Sequence, residues 1–312
     1  MHLAPAHKLT IILADPSGGD RLLSALCALR DARLPFGFEL IAVIGGDISR
    51  LAELQRKFPL ITMLQVPDAT DLGVLYSRGA AAAAGRYLLL LDGTVRVDAA
   101  AIEGMIHFLE KGQWIAMVAP RLIAPSGKEL AATREFPTVA SAIAEFRSRN
   151  TTGVTLRIQN PLDRQVTMPK EVDAAVSGCC MLKRHTVQEV GAFEAGYPAG
   201  GELLDWCRKV RFRGWSVFYH PGLTARLAEE PREDPARVAA QMASACRFIA
   251  RYRGWTSVWT LKFLLGLISL HGLLLDGGAS LIPGTHRHAA RSAFWRAWYV
   301  FGELLSPRRR MA

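Results

Sequence analysis

Short, solid apolar runs alternate with mixed polar stretches along the first part of the chain, and this alternation sets the expected fold. Residues 8–14 read as a buried strand, and Asp15 with the Pro-Ser-Gly-Gly after it leads into a helix over 20–31. A second apolar strand is expected at 39–44, ended by Gly45, Gly46 and Asp47. A helix to about Lys57 and a third strand near 61–66 follow. Small residues predict a helix over 77–85, and 86–91 is a fourth strand. Strands and helices in this alternation build βαβ units with a mostly parallel sheet. Ligands of such sheets bind beyond the carboxyl ends of the strands, so the loops after Leu13, Ile44 and Leu91 are where chemistry is expected.

Between about Pro120 and Met168 the pattern becomes irregular, with a strand pair expected around 117–123 and a polar loop through 150–153. Strand pattern returns at 176–183, a helix is expected at 201–212, and a strand at 215–219 ends at Pro221. A polar linker at 229–235 precedes a helix to about Tyr252. An apolar run of 18 residues then spans 258–275, interrupted by Lys262 and His271. No internal repeat is visible. Two domains are expected, 1–228 and a helical extension, 229–312.

Composition narrows the class. The chain of 312 residues is 50% hydrophobic and 21% charged, which is globular rather than disordered. Its 38 basic and 28 acidic residues leave a net charge of +10. The excess gathers at the end: from Ala245 onward ten Lys and Arg face only Asp276 and Glu303. Such a tail suits anionic lipid, nucleic acid or water, but no nucleic-acid module is recognisable and no such partner is expected. The five cysteines include no CxxC pair, and residues 1–10 carry no long apolar run. A reduced, cytoplasmic-side location is expected, without a zinc site.

Several motifs recur in a fixed order. Leu88 to Leu91 run into Asp92, Gly93 and Thr94; Val118 to Leu122 are followed by Ser126-Gly127 and by Thr133 to Pro137. Then come Ser177-Gly178 with Cys179 to Arg184, the turn Val190 to Glu194, the acidic stretch Glu202 to Arg208, Gly214 to Val217, and His220-Pro221. Over about residues 8–225 this ordered set resembles family 2 glycosyltransferases of the GT-A fold, particularly the rhamnosyltransferase-like branch that builds bacterial surface polysaccharides. The resemblance implies an α/β, Rossmann-like, mostly parallel sheet flanked by helices, with a C-terminal helical extension. It implies an inverting transferase that moves sugar from a nucleotide-sugar donor to a lipid-linked or polysaccharide acceptor, with Mg²⁺ or Mn²⁺ at the diphosphate.

The resemblance also assigns roles. Asp92 is the metal-side carboxylate, with Gly93 and Thr94 completing the donor loop, although the family's second carboxylate is Thr94 here. An Asp at this place also caps a turn, and both readings stand. Glu202 is expected as the base that takes the acceptor proton, because the family's usual base position is Leu203. Asp205 shares its helix face and either orients the site or pairs with Arg208 or Lys209. Asp15, Asp47, Arg78, Ser177 and Gly178 are expected on the donor side. Leu227 stands where the family often has a metal-side His, so Arg78, Arg226 or Lys183 would be needed to offset the diphosphate charge if no metal does. These departures keep a second reading open: a catalytically inactive GT-A domain that scaffolds a polysaccharide assembly complex.

The tail adds Trp255, Trp259, Trp295, Trp298 and Tyr299, with Arg291, Arg296 and Arg308 to Arg310. Aromatic and basic residues together suit peripheral contact with the inner face of the cytoplasmic membrane, whereas a helix packed on the core is the plainer alternative.

Overall fold

The computed structural model describes residues 8–16, 20–30, 35–46, 51–67, 71–144, 166–198, 200–231 and 235–279. Asp47, the loop at 150–153 and the tail after Ala279 lie outside the described residues.

The first half is a βαβ series. Its elements are β1 (Leu9–Asp15), α1 (Asp20–Arg30), β2 (Phe38–Gly45), α2 (Leu51–Lys57), β3 (Thr62–Val66), α3 (Leu72–Ala82) and β4 (Tyr87–Asp92). Every residue of β1 is buried, as expected for a strand covered on both faces. Next come β5 (Val95–Val97), α4 (Ala99–Lys111), β6 (Ile115–Ile123), β7 (Glu129–Leu130) and β8 (Thr133–Arg134). After α5 (139–144) come β9 (Lys170–Val172), β10 (Ala174–Ala175), β11 (Cys179–Lys183) and α6 (Arg184–Val190). The series closes with α7 (Gly201–Phe212), β12 (Ser216–Leu227), α8 (Pro235–Arg253) and α9 (Trp255–Ala279).

The main sheet has ten strands, in the order β3-β2-β1-β4-β11-β6-β12-β5, with β7 on β6 and β9 on β12. Strands β3, β2, β1 and β4 are mutually parallel, as are β6 and β12, while β11 runs antiparallel between β4 and β6. The expected α/β architecture is therefore present. Its consequence for function lies at one edge, where the ends of β1, β2 and β4 come level, with Ala14 opposite Asp92 and Asp15 opposite Ile44.

Three expectations are corrected and one helix is added. The helix expected over 77–85 is α3, which starts at Leu72 because Asp71 caps it, its side chain accepting from Gly73 N–H at 2.8 Å. Helix α4 was not expected; Asp98 caps it, and Ala101, Ile102, Met105, Ile106 and Leu109 form its buried stripe. The strand expected at 176–183 begins only at Cys179, because Gly178 has φ +139 and the chain turns there. Pro221 does not end β12. It falls inside a register shift between His220 and Thr224, where a missing N–H costs no ladder bond.

The chain forms two compact units. The first comprises Met1–Phe136, Gln159–Ala195 and Glu202–Pro231, and holds the sheet. The second comprises Pro137–Ile158, Gly196–Gly201 and Arg232–Ala312. Its core is Met242, Cys246 and Ile249 of α8 against Val258, Leu261 and Leu265 of α9, with Ala142 of α5. Among the described residues, no helix is long and apolar enough to cross a membrane.

Candidate functional site

Asp92 is the last residue of β4. Its N–H donates to Gly178 O at 3.1 Å, which fixes the strand end against the turn before β11. Asp92 Oδ1 accepts from Thr94 N–H at 2.7 Å and from the Thr94 hydroxyl. The turn-capping role foreseen for Asp92 is thus present, whatever else the carboxylate does. A Cβ on Gly178 would stand in ordinary contact with Val95 at 3.6 Å and Asp92 Oδ2 at 3.7 Å, but φ +139 strains any side chain there.

Glu202 lies in the first turn of α7 with 0% of its surface exposed. Its Oε1 accepts from the Ser177 hydroxyl at 2.6 Å, a hydrogen bond across 25 positions of sequence. Asp92, Ser177, Gly178 and Glu202 therefore meet at the strand ends. Gly73 makes the meeting possible, because a Cβ there would sit 2.6 Å from Glu194 O and 3.1 Å from Glu202 Cβ. Only a glycine lets α3 close on both.

One turn further, α3 contributes Tyr76, which sequence reasoning missed. It is fully buried, and its hydroxyl has no hydrogen-bond partner among the described residues. Burial raises its pKa well above 10.0, and the charges of Asp92, Cys180, Glu202 and Cys179 push the same way. Its phenol therefore lies within electrostatic reach of both carboxylates. Phe193 meets Tyr76 edge-on at 6.0 Å and Trp206 at 5.4 Å, tying α3, the 191–194 turn and α7 together.

Asp205 is buried and pairs with Lys209 at 2.8 Å, and Lys209 also reaches Glu194 at 3.0 Å. Burial pulls the Lys209 pKa down, but the hydrogen bonds and charges of Asp205 and Glu194 outweigh it and leave the net shift upward. Lys209 accordingly ties α7 to Glu194 of the 191–194 turn while pairing with Asp205 on its own helix. Asp15, at the end of β1, is buried 6% exposed beside this edge.

The basic candidates separate. Arg78 is exposed on α3. Lys183 pairs with Tyr87 at the opposite end of β4 and donates to Gly112 O at 2.6 Å and Gln113 O at 3.1 Å, so it is structural. Arg226 is exposed and stands opposite Arg96. Arg96 lies against the Asp92 turn: it donates to Gly93 O at 3.0 Å, Val95 O at 3.1 Å and Ser24 Oγ at 2.8 Å. Burial lowers its pKa, and Asp92 and Glu229 raise it. Its alternation with Val95 and Val97 on a three-residue strand is too short a pattern to reveal this in sequence.

Among the described residues, the side chains at the Asp92 turn do not by themselves assemble a Mg²⁺ or Mn²⁺ site. Among the described residues no group of three or more His, Cys, Asp or Glu could hold a metal ion. Thr94, where the resemblance expects a second carboxylate, donates to Asp92 through both its N–H and its hydroxyl. The end of β12 does reach the loop, with Leu227 opposite Val95 and Ala228 N–H donating to Thr94 O at 2.7 Å, but Leu227 offers no ligand.

No family model matches the sequence, and no curated protein matches it. Solved structures do. GalNAc-T7 with UDP, GalNAc and Mn2+ matches with a TM-score of 0.58 at 12% identity, over 97% of this chain and 56% of that one. This chain thus spans little more than half of that neighbour's length. A mycobacterial protein matches with a TM-score of 0.54 at 14% identity, over 79% of this chain and 74% of that one. Neither singles out the rhamnosyltransferase-like branch. Identities this low bear on architecture, and with the sheet order described above they establish that the chain has the GT-A fold.

Proposed function

We propose that the chain is a glycosyltransferase that moves a sugar from a nucleotide-sugar donor to a hydroxyl of a lipid-linked or polysaccharide acceptor in bacterial surface glycan synthesis. One observation carries the reading: Asp92, the Ser177-Gly178 turn and Glu202 converge at the strand ends of a GT-A sheet. The neighbouring structure was solved with UDP, GalNAc and Mn2+, which supports a nucleotide-sugar donor.

In this reading the acceptor oxygen forms a bond to the sugar's anomeric carbon from the face opposite the leaving group. The bond from that carbon to the phosphate oxygen breaks, and its electron pair leaves with the nucleoside diphosphate. Glu202 is shielded from solvent, whereas Ser177 is partly exposed and bonded to it. The acceptor proton therefore passes to Ser177 Oγ while the Ser177 proton passes to Glu202, a relay of two short transfers. Gly178 allows the donor close backbone approach, and Arg96 supplies positive charge beside the Asp92 turn.

Released nucleoside diphosphate, measured on incubation with a nucleotide sugar, tests this. Release that is lost in Glu202→Gln supports the reading, and release unchanged in that variant contradicts Glu202 as the proton's destination. A second reading is favoured by Leu203, Thr94 and Leu227 at the family's functional positions: a catalytically inactive subunit that binds the donor. It predicts binding without any release.

A further inference from the structure

Helix α9 is apolar on two sides. Val258, Leu261 and Leu265 are buried in the core with α8 and α5. A second row, Trp255, Trp259, Phe263 and Leu267, repeats every four residues and is exposed by 59%, 67%, 66% and 47%. Four residues advance a helix by about 40° beyond a full turn, so the row winds over about 120° of the surface and about 18 Å of length. A helix on the surface of a soluble protein needs one apolar face, and one that is apolar on opposite sides has a second environment to meet. Exposed apolar residues scattered singly need no explanation, but a contiguous row of two Trp, a Phe and a Leu does.

Charge selects the occupant. Arg251 and Arg253, at the end of α8, are exposed, and Lys262 sits beside the row, its Nζ 5.5 Å from the Trp259 ring centroid. From Ala245 onward the chain carries ten basic residues against two acidic ones, an excess of +8. A second copy of this chain would bring the same positive charge to the row and be repelled. An anionic lipid surface offers an apolar layer for the aromatics beneath a negative layer for the arginines, at the depth where Trp side chains settle. No described helix is long and apolar enough to cross a membrane, so the fit is to a helix lying in the interface.

We propose that α9 lies on an anionic bilayer surface, with Trp255, Trp259, Phe263 and Leu267 in the acyl boundary and Arg251, Arg253 and Lys262 among the headgroups. The inference does not depend on the transferase reading and can fail or hold without it.

The test uses the full chain and sedimentation with vesicles of phosphatidylcholine alone or mixed with phosphatidylglycerol. The wild type should pellet with the mixed vesicles and be released by salt. Trp259→Ser combined with Phe263→Ser should lower its partitioning about ten-fold or more. The substituted side chains are exposed, so the thermal melt should be unchanged. A second pair at the ends of the row, Trp255→Ser with Leu267→Ser, should weaken pelleting as well, and guards against local misfolding in the first. Pelleting unchanged in both pairs overturns the proposal, as does equal pelleting with neutral vesicles. A wild type that light scattering shows to be a dimer, made monomeric by either pair, would identify a copy-to-copy interface and also overturn it.

Discussion

The Ser177 hydroxyl donates to Glu202 Oε1 at 2.6 Å, joining the turn before β11 to the first turn of α7. If the acceptor proton travels along this bond, removing either end stops its passage. Ser177→Ala and Glu202→Gln should each lower turnover by about 10²- to 10⁴-fold with little change in donor affinity. Rates of nucleoside diphosphate release beside donor titrations separate the two quantities. Equal loss of affinity and turnover would instead make the pair a donor-binding element.

Asp205 tests the opposite role. Its carboxylate is buried and pairs with Lys209 at 2.8 Å, so Lys209→Met removes a cation from beside a buried charge. The variant should lose about 3 kcal/mol of stability in urea unfolding. Its folded fraction should still bind donor. A loss of binding without a loss of stability would place Asp205 in the site chemistry after all.

The Tyr76 hydroxyl is buried without a hydrogen-bond partner among the described residues. A buried donor of this kind contributes nothing to stability and costs its desolvation. Tyr76→Phe should leave stability unchanged or raise it by up to about 1 kcal/mol in urea unfolding. A loss of about that size would show that the hydroxyl has a partner in solution.

Alkaline pH should unfold the protein early. Burial pushes the Cys246 thiol from 9.0 to about 11 and the Cys207 thiol to about 12, and it raises Cys179 and Cys180 as well. Unfolded thiols lose their protons near pH 9 while the folded ones keep theirs, so the unfolded state binds fewer protons above that pH and stability falls as pH rises. The contribution of Cys246 is fully present below about pH 9 and is lost by about pH 11. Melting temperatures across pH 7 to 12 should bend downward near 9, and Cys246→Ala should flatten the 9 to 11 part of the curve. A curve without that bend contradicts the burial of these thiols.

The sheet was legible because β1 and β4 are buried on both faces and read as solid apolar runs. Motif order singled out Asp92, Ser177 and Glu202 one by one, whereas the Ser177–Glu202 contact spans 25 positions and needs the fold to be seen. Tyr76 was not legible. Its helix was expected to begin at Ser77, whereas the Asp71 cap starts it at Leu72 and turns Tyr76 inward. Helix α4 had a readable signal in Asp98 and the buried spacing from Ala101 to Leu109, which a run of alanines obscured. Lys183 could not be placed from sequence, because strand β11 alone decides which end of the sheet it occupies.

The proposed function requires that the strand ends beside Asp92 and Glu202 bind a nucleotide sugar. Isothermal calorimetry of the purified chain with UDP-, dTDP- and GDP-sugars, each with and without Mn²⁺, tests it most directly. Saturable binding to at least one donor is expected, and Gly178→Val, whose side chain would crowd the approach to Asp92, should weaken it. No binding to any of the donors would contradict the proposed function.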